Sequence, residues 1–420
     1  MSEKLAEVYE KYDMEITNTR RGRGATILTI TDGLRILEPF KGSVVRLEQE
    51  HVLKALFEEE GFSDLDTIIP NVNGELITND RYRQPYVMKK YFVGEECDMR
   101  NLADMVRAVD KLADFHICGQ NVARRFHSCW EQTKREKEQR QIREIKQALE
   151  DGEEIERIAQ IYGIHQRVLE EILKEKEETG FDAEKACEGM QKGSLQAGKS
   201  AACEEIWMLH SPEIDMGECI SHLFRRRNRE LLKIQKYVLK VKRRNDFEKR
   251  FLQVFSDYHR KGLQCEENFL AVMKEGGTPL GRENVLRHYG ICHGSFNQHN
   301  VILGNNCEAI VHFERFSRGN QLEDLYQFAR KAMEKNHFDY EILDVLLNTY
   351  GRKITLSQED YRYMYVLFTY PEKFWKIANG YYNSKKTFLS PKYLEKLEMV
   401  ILQEKEKSEM LDEFYSFHLS

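Results

Sequence analysis

Along the N-terminal part of the chain, apolar positions alternate with polar ones in short runs, then recur at helical spacing. Met14–Gly24, Ala25–Thr31 and Leu34–Phe40 read as three strands, with turns at Gly22-Arg23-Gly24 and Asp32-Gly33. A helix follows over Ser43–Glu60: Ser43 suits its cap, and Val44, Leu47, Val52, Leu53, Leu56 and Phe57 form its apolar stripe. Two more strands lie near Thr67–Ile77 and Tyr86–Val93, and a further helix covers Leu102–Ile117. From Trp130 to Glu178 charges of both signs crowd out the apolar periodicity, as in an exposed helix or a solvated insertion. Within it, Ile155, Ile158, Ala159, Gly163, Ile164, Leu169 and Ile172 have helix-turn-helix spacing. The second of those helices, Gln166–Glu178, carries Glu170, Glu171, Glu175, Glu177 and Glu178, which oppose phosphate, so a helical-hairpin insert is favoured over DNA binding. Residues 180–202 turn small and polar, like a tether. Beyond them one long helix is expected over Leu223–Tyr258, with Phe247, Phe251, Leu252 and Phe255 on its apolar side.

Charge and composition narrow the function classes. A net charge of −6 over 420 residues argues against a general nucleic-acid binder. No window approaches the apolar length of a membrane span, and the charged start Met1-Ser2-Glu3-Lys4 leads into no signal-peptide core. The nine cysteines have no Cys-x-x-Cys pair or zinc-ligand spacing, so free buried thiols are expected. Arg225–Arg250 departs from the average, with twelve Lys/Arg against three Asp/Glu. Its cations, headed by Arg225, Arg226 and Arg227, read either as a solvated helix face or as a docking surface for an acidic protein or polyanion.

The chemistry concentrates in Cys292–Leu303 and in Val311-His312-Phe313-Glu314. This layout resembles the catalytic loop of aminoglycoside- and choline-type kinases. There His-Gly is followed by an Asp that receives the hydroxyl proton, and an Asn and a later Asp hold magnesium. Here the first Asp is Ser295, the metal Asp is His312 and the second strand Asp is Glu314; His293 and Asn300 are retained. A serine hydroxyl is no carboxylate base, and magnesium wants carboxylate oxygens. His293 reads as a structural histidine holding the loop. The third strand places Glu38 where such kinases carry a phosphate-binding Lys, so the helix Glu, Glu50 or Glu48, is left without that partner. Gly22 and Gly24 make only a weak phosphate cradle and suit a plain hairpin better. The expected fold is α+β and protein-kinase-like in two lobes. A small antiparallel-sheet N-lobe (1–95) precedes a helical C-lobe (96–420), interrupted by a charged helical insertion at 130–218.

Several separate motifs resemble one family, the spore-coat CotS proteins, a branch of that kinase group. They are Arg21-Gly22-Arg23-Gly24-Ala25, the run Gly94–Asn101, Arg227–Ile234, His293-Gly294 with Asn297–Asn300, and Phe313–Phe316 leading to Asp324–Phe328. The most distinctive is Tyr370–Asn379 with Tyr381-Tyr382-Asn383-Ser384. The family usually has Asp after His-Gly and tends to have Asn where His312 stands, so both positions depart even from it. The resemblance implies a catalytically inactive structural component of the endospore coat, made in the mother cell without a signal peptide. Its partners would be other coat proteins, with no cofactor expected. The alternative is an atypical sugar or amino-alcohol phosphotransferase using ATP and magnesium, the metal held by Asn300, His312 and Glu314, or nucleotide binding without turnover. Phe374, Trp375, Tyr381 and Tyr382 are either helix-packing core or a ligand or partner groove with Asn379 and Asn383.

Overall fold

The computed structural model describes residues 5–22, 24–152, 154–162, 216–272, 288–305, 307–383 and 391–420. The turn and second helix expected from Gly163 onward, the polar tether and Ser384 lie outside them. Contacts divide the chain into two units, Met1–Arg124 with Asp215–Ser420, and Arg125–Ile214.

The first unit begins with a short helix, α1 (Ala6–Tyr9), and the meander β1 (Ile16–Arg21), β2 (Thr26–Ile30) and β3 (Gly33–Pro39). All three strands fall where alternation predicts them. Gly24 and Gly33 turn the chain at φ 74° and 119°, values that disfavour a side chain. Val8, Tyr9 and Tyr12 pack under Leu28, Leu37 and Met88 on one sheet face. The helix α2 (Val44–Glu59) begins as expected, with Ser43 Oγ accepting from the Arg46 N–H. Only two-residue strands, β4 (Ile68–Ile69) and β5 (Thr78–Asn79), form where a longer one was expected, because the chain turns at Asn71–Gly74 between them. The strand β6 (Pro85–Lys90) is central, pairing with β3, β4 and β5 in a six-stranded antiparallel sheet. In that register Ile36 faces Lys89 and Glu38 faces Val87, which places Glu38 and Lys89 on the same sheet face.

After β7 (Glu95–Glu96) comes α3 (Leu102–Glu150), which runs well past the expected end at Ile117; the second unit also holds α4 (Ile155–Tyr162). The expected single helix Leu223–Tyr258 is two, α5 (Met216–Lys240) and α6 (Asp246–Val272). Arg244 stops the first by donating to the Val238 and Leu239 carbonyls at 3.0 and 2.8 Å. Asn245 starts the second through a reciprocal cap. Its N–H donates to Glu248 Oε2, and its Oδ1 accepts from the Glu248 N–H. Then follow β8 (Tyr289–Cys292), β9 (Val301–Leu303), β10 (Glu308–Ile310), β11 (Ser317–Asn320) and α7 (Leu322–Lys335). The chain closes with α8 (Tyr340–Gly351), α9 (Gln358–Thr369), α10 (Glu372–Asn383), α11 (Lys392–Leu402) and α12 (Glu404–His418). The fold is therefore a small antiparallel-sheet lobe followed by a helical lobe.

Candidate functional site

The loop after β8 is held by a carboxylate from beneath. Asp324, in the first turn of α7, accepts from the backbone N–H of His293 (2.5 Å) and of Gly294 (2.9 Å). His116 Nε2 lies 3.5 Å from Asp324, and its Nδ1 is 2.8 Å from the Tyr350 hydroxyl. Gly294 sits at φ 71°, and a Cβ there would come within 2.1 Å of the Arg315 carbonyl oxygen. His293 is fully buried; burial lowers its pKa and keeps the ring neutral, so Nε2–H donates to the Val311 carbonyl while Nδ1 accepts from the Ser295 N–H. The structural reading of His293 fits this geometry. In the sequence Asp324 stands out only within a family motif, and nothing local marks it as the loop's anchor.

Within the loop, the amide nitrogens of Asn297 and Asn300 both donate to the Ser295 carbonyl, at 2.6 and 2.9 Å. They converge on the backbone of Ser295, and the hydroxyl offers only what a weak neutral donor and acceptor can.

Opposite the loop lies a cluster of charges supplied by α2, by Asp66 just before β4, by β6 and by the segment after β10. Lys54 is buried, 2.6 Å from both Glu50 and Asp66. Lys89 is also buried, 3.5 Å from Glu50, 3.7 Å from Asp66 and 3.6 Å from Glu314. Glu50 thus has cationic partners, which corrects the expectation that its partner is missing. The cations come from one helical turn further on and from β6, two sources that a search along the third strand passes over. Glu38 lies on β3 as expected, with Lys89 diagonally across the strand pair on the same sheet face. Burial alone would lower the Lys89 pKa, but Asp66, Glu50 and Glu314 together push it well above the usual lysine range.

His312 and Glu314 meet, though not as neighbours along a strand. The segment Val311–Phe313 is irregular, and His312 takes the left-handed conformation at φ 67°. Its N–H donates to Asp66 at 3.1 Å and its Nδ1 lies 3.5 Å from Glu314 Oε1. The bond to Glu314 raises the His312 pKa. Burial would raise the carboxyl of Glu314, but His312 and Lys89 hold it far below the usual carboxylate range. Arg46, from α2, donates to the Glu314 and Phe316 carbonyls and lies 3.6 Å over the Phe316 ring. Among the described residues no group of three or more His, Cys, Asp or Glu is placed to hold a metal ion. His312 and Glu314 supply two donors, and the amide nitrogen of Asn300 is committed to Ser295. Gly22 closes a hairpin through its N–H to the Ala25 carbonyl, while Gly24 is open to space.

The remaining candidates lie elsewhere in the helical lobe. Phe374 stacks on Tyr258 at 4.3 Å and Tyr381 on Phe247 at 4.0 Å, inside a core shared by α5, α6, α10 and α11. Trp375 donates its indole N–H to Glu230 and Tyr382 its hydroxyl to Glu248. All four rings are packing residues here. Arg225 pairs with Glu266 at 2.9 Å, and Arg227, with 13% of its side chain exposed, lies 3.7 Å from Glu372 and over the Trp375 ring. Of the three arginines only Arg226 is exposed, because the helix turns its neighbours toward α6 and α10.

Residues 216–414 match the family described as "Spore coat putative kinase YutH", a span that begins with α5 and leaves the N-terminal motifs outside it. Among solved structures, an aminoglycoside phosphotransferase from Alicyclobacillus acidocaldarius superposes with a TM-score of 0.63 at 12% identity, covering 97% of this chain and 94% of that one. The AMP-bound spectinomycin phosphotransferase APH(9)-Ia gives 0.47 at 11% identity over 98% of both chains. Choline kinase from Cryptosporidium parvum gives 0.44 at 10% identity over 99% of this chain and 95% of its own. No curated protein matches the chain in sequence. The fold assignment rests on the first of these structures, which gives the chain an aminoglycoside-phosphotransferase-like fold, and over residues 216–414 the chain is similar to the spore coat kinase family.

Proposed function

We propose that this protein is a catalytically inactive kinase-fold component of the bacterial spore coat, acting by binding other coat proteins rather than by phosphoryl transfer. The observation that carries the proposal is Glu314. It is the one carboxylate among the substituted positions of the catalytic and metal segments, and it is already neutralised by His312 and Lys89. Ser295 supplies no base, and Glu38 puts negative charge where phosphates would lie. The residues present therefore do not fit a nucleotide–magnesium pair. The coat setting is supported by the family that residues 216–414 match. Purified protein incubated with ATP and magnesium is expected to release no more phosphate than an Asn300→Ala control. Release above that control overturns the proposal.

Nucleotide binding without turnover is a second reading, favoured by one contact: Lys89 reaches Glu50 as the strand lysine reaches the helix glutamate in active kinases. Thermal shift with ATP, with and without magnesium, separates the two, since only the second reading expects stabilisation.

A further inference from the structure

The outer face of α5 carries charge that no other described residue engages. Arg226, Arg229, Lys233, Lys236 and Lys240 are all exposed. Their spacing of three, four, three and four residues puts them in one line along the helix. The line is about 21 Å long at 1.5 Å per residue. The opposite face is the buried one: Ile220, Phe224, Leu231, Ile234 and Val238 point into the protein. Among the described residues none of the five cations has a hydrogen bond, an ion pair or a ring contact. Other cations of the same charged run are occupied, Arg225 by Glu266, Arg227 by Glu372 and Lys249 by Asp246. Tyr237, 60% exposed, stands beside the line with its ring edge-on to Tyr382.

We propose that this line is the docking edge for an acidic α-helix of a partner protein. An acidic helix repeats its carboxylates every three and four residues, with the same rise of about 4.5 to 6 Å per step, so the two charge ladders match in phase. Tyr237 gives the partner one apolar contact beside the ladder. A line one residue wide suits a single helix edge. A duplex or a membrane suits a two-dimensional basic field rather than a single line of cations. The inference rests on the coat-binding reading only for its setting: ATP turnover would overturn that reading and leave this one standing.

The test uses the full chain and a labelled alanine-based peptide of about 20 residues with Glu at alternating three- and four-residue steps. The control peptide has the same composition with its Glu residues spread around the helix. Anisotropy at about 50 and 150 mM salt is expected to show the ladder peptide bound about ten-fold more tightly than the control, and more weakly at the higher salt. Arg229→Glu with Lys233→Glu and Lys236→Glu should remove at least that preference, while Lys233→Arg with Lys236→Arg keeps it. If the triple reversal unfolds, Lys233→Gln with Lys236→Gln is read instead, and it should lower ladder binding several-fold. No binding, equal binding of both peptides, or tighter binding to a single-stranded oligonucleotide or to phosphatidylglycerol vesicles overturns the proposal.

Discussion

Lys54 shows how much a single side chain holds in place. With 1% of its side chain exposed, it sits 2.6 Å from two carboxylates that are themselves buried. Lys54→Met would leave Glu50 and Asp66 with the more distant Lys89 as their shared cation, beside the His312 N–H on Asp66, and removing one partner from a buried ion pair costs about 3–5 kcal/mol. Urea unfolding should show a loss in that range; a loss within about 0.5 kcal/mol would mean the cluster rearranges freely. His312 gives a second, subtler handle. Its pKa is raised chiefly by the bond to Glu314, so folding is favoured while the ring is protonated. That contribution is complete below the unfolded pKa of about 6.5 and is lost as pH rises through the higher folded value. The stability difference between the wild type and His312→Asn is therefore expected to shrink from about pH 5.5 to 8. Taking the difference cancels the buried His116 and His293, whose pKa values are lowered and which act in the opposite direction. That Ser295 and His312 bring no carboxylate to the loop was legible from residue type alone. The positions of Lys54 and Lys89 were not, because long-range pairing between α2, Asp66 and β6 leaves no mark on local periodicity.

Whole elements were legible where one face is buried and the cap is local. Ser43 and the stripe of α2 are such a case, and so are the three meander strands. The break between α5 and α6 was hidden by a charged run that keeps helical phase on both sides. Asn245 with Glu248 three residues on is the signal that marks it. Asn245→Ala removes that cap and the bond from the Asn245 amide to the Tyr381 hydroxyl (2.6 Å), so it should cost about 1–2 kcal/mol in a denaturation midpoint. Adjacent arginines on α5 should behave in opposite ways. Arg226→Glu is exposed and should change stability by no more than about 0.5 kcal/mol. Arg227→Glu would set a carboxylate against Glu372, whose own carboxyl, raised by burial, is held down at about 2 by Arg330, Lys376 and Arg227. A loss of about 3 kcal/mol or more is expected. Equal losses in the two variants would contradict this placement of the helix.

At the scale of the molecule, the kinase-like frame survives while the groups that would handle phosphate differ. Ser295→Asp alone is therefore expected to leave ATP turnover at the Asn300→Ala background, because Glu38 and the occupied Glu314 remain. Turnover in that single variant would show that a base was the sole missing part. The frame was legible because it follows from the order of strands, helix and loop, and that order tolerates change at individual positions. The aromatic cluster around Phe374 had two readings in sequence because the same ring spacing serves a core or a groove; only the partners Phe247, Phe251 and Tyr258 on α6 decide between them.

The carboxylate of Asp324 beneath the loop has a consequence for how this chain can drift. It grips the backbone of His293 and Gly294, and Gly294 has no room for a methyl group against Arg315. One residue further on, Ser295 is gripped mainly through backbone groups that any side chain would present as well: its carbonyl takes the shorter bonds from Asn297 and Asn300, its N–H donates to His293, and its hydroxyl adds one 3.4 Å contact with Asn297. Two adjacent codons thus face opposite constraints: the first is frozen by geometry whether or not chemistry occurs, while the second is released once chemistry stops mattering. In any chain where chemistry did stop mattering, that asymmetry would let the second position drift and leave the cradle around it intact, readable as an outline.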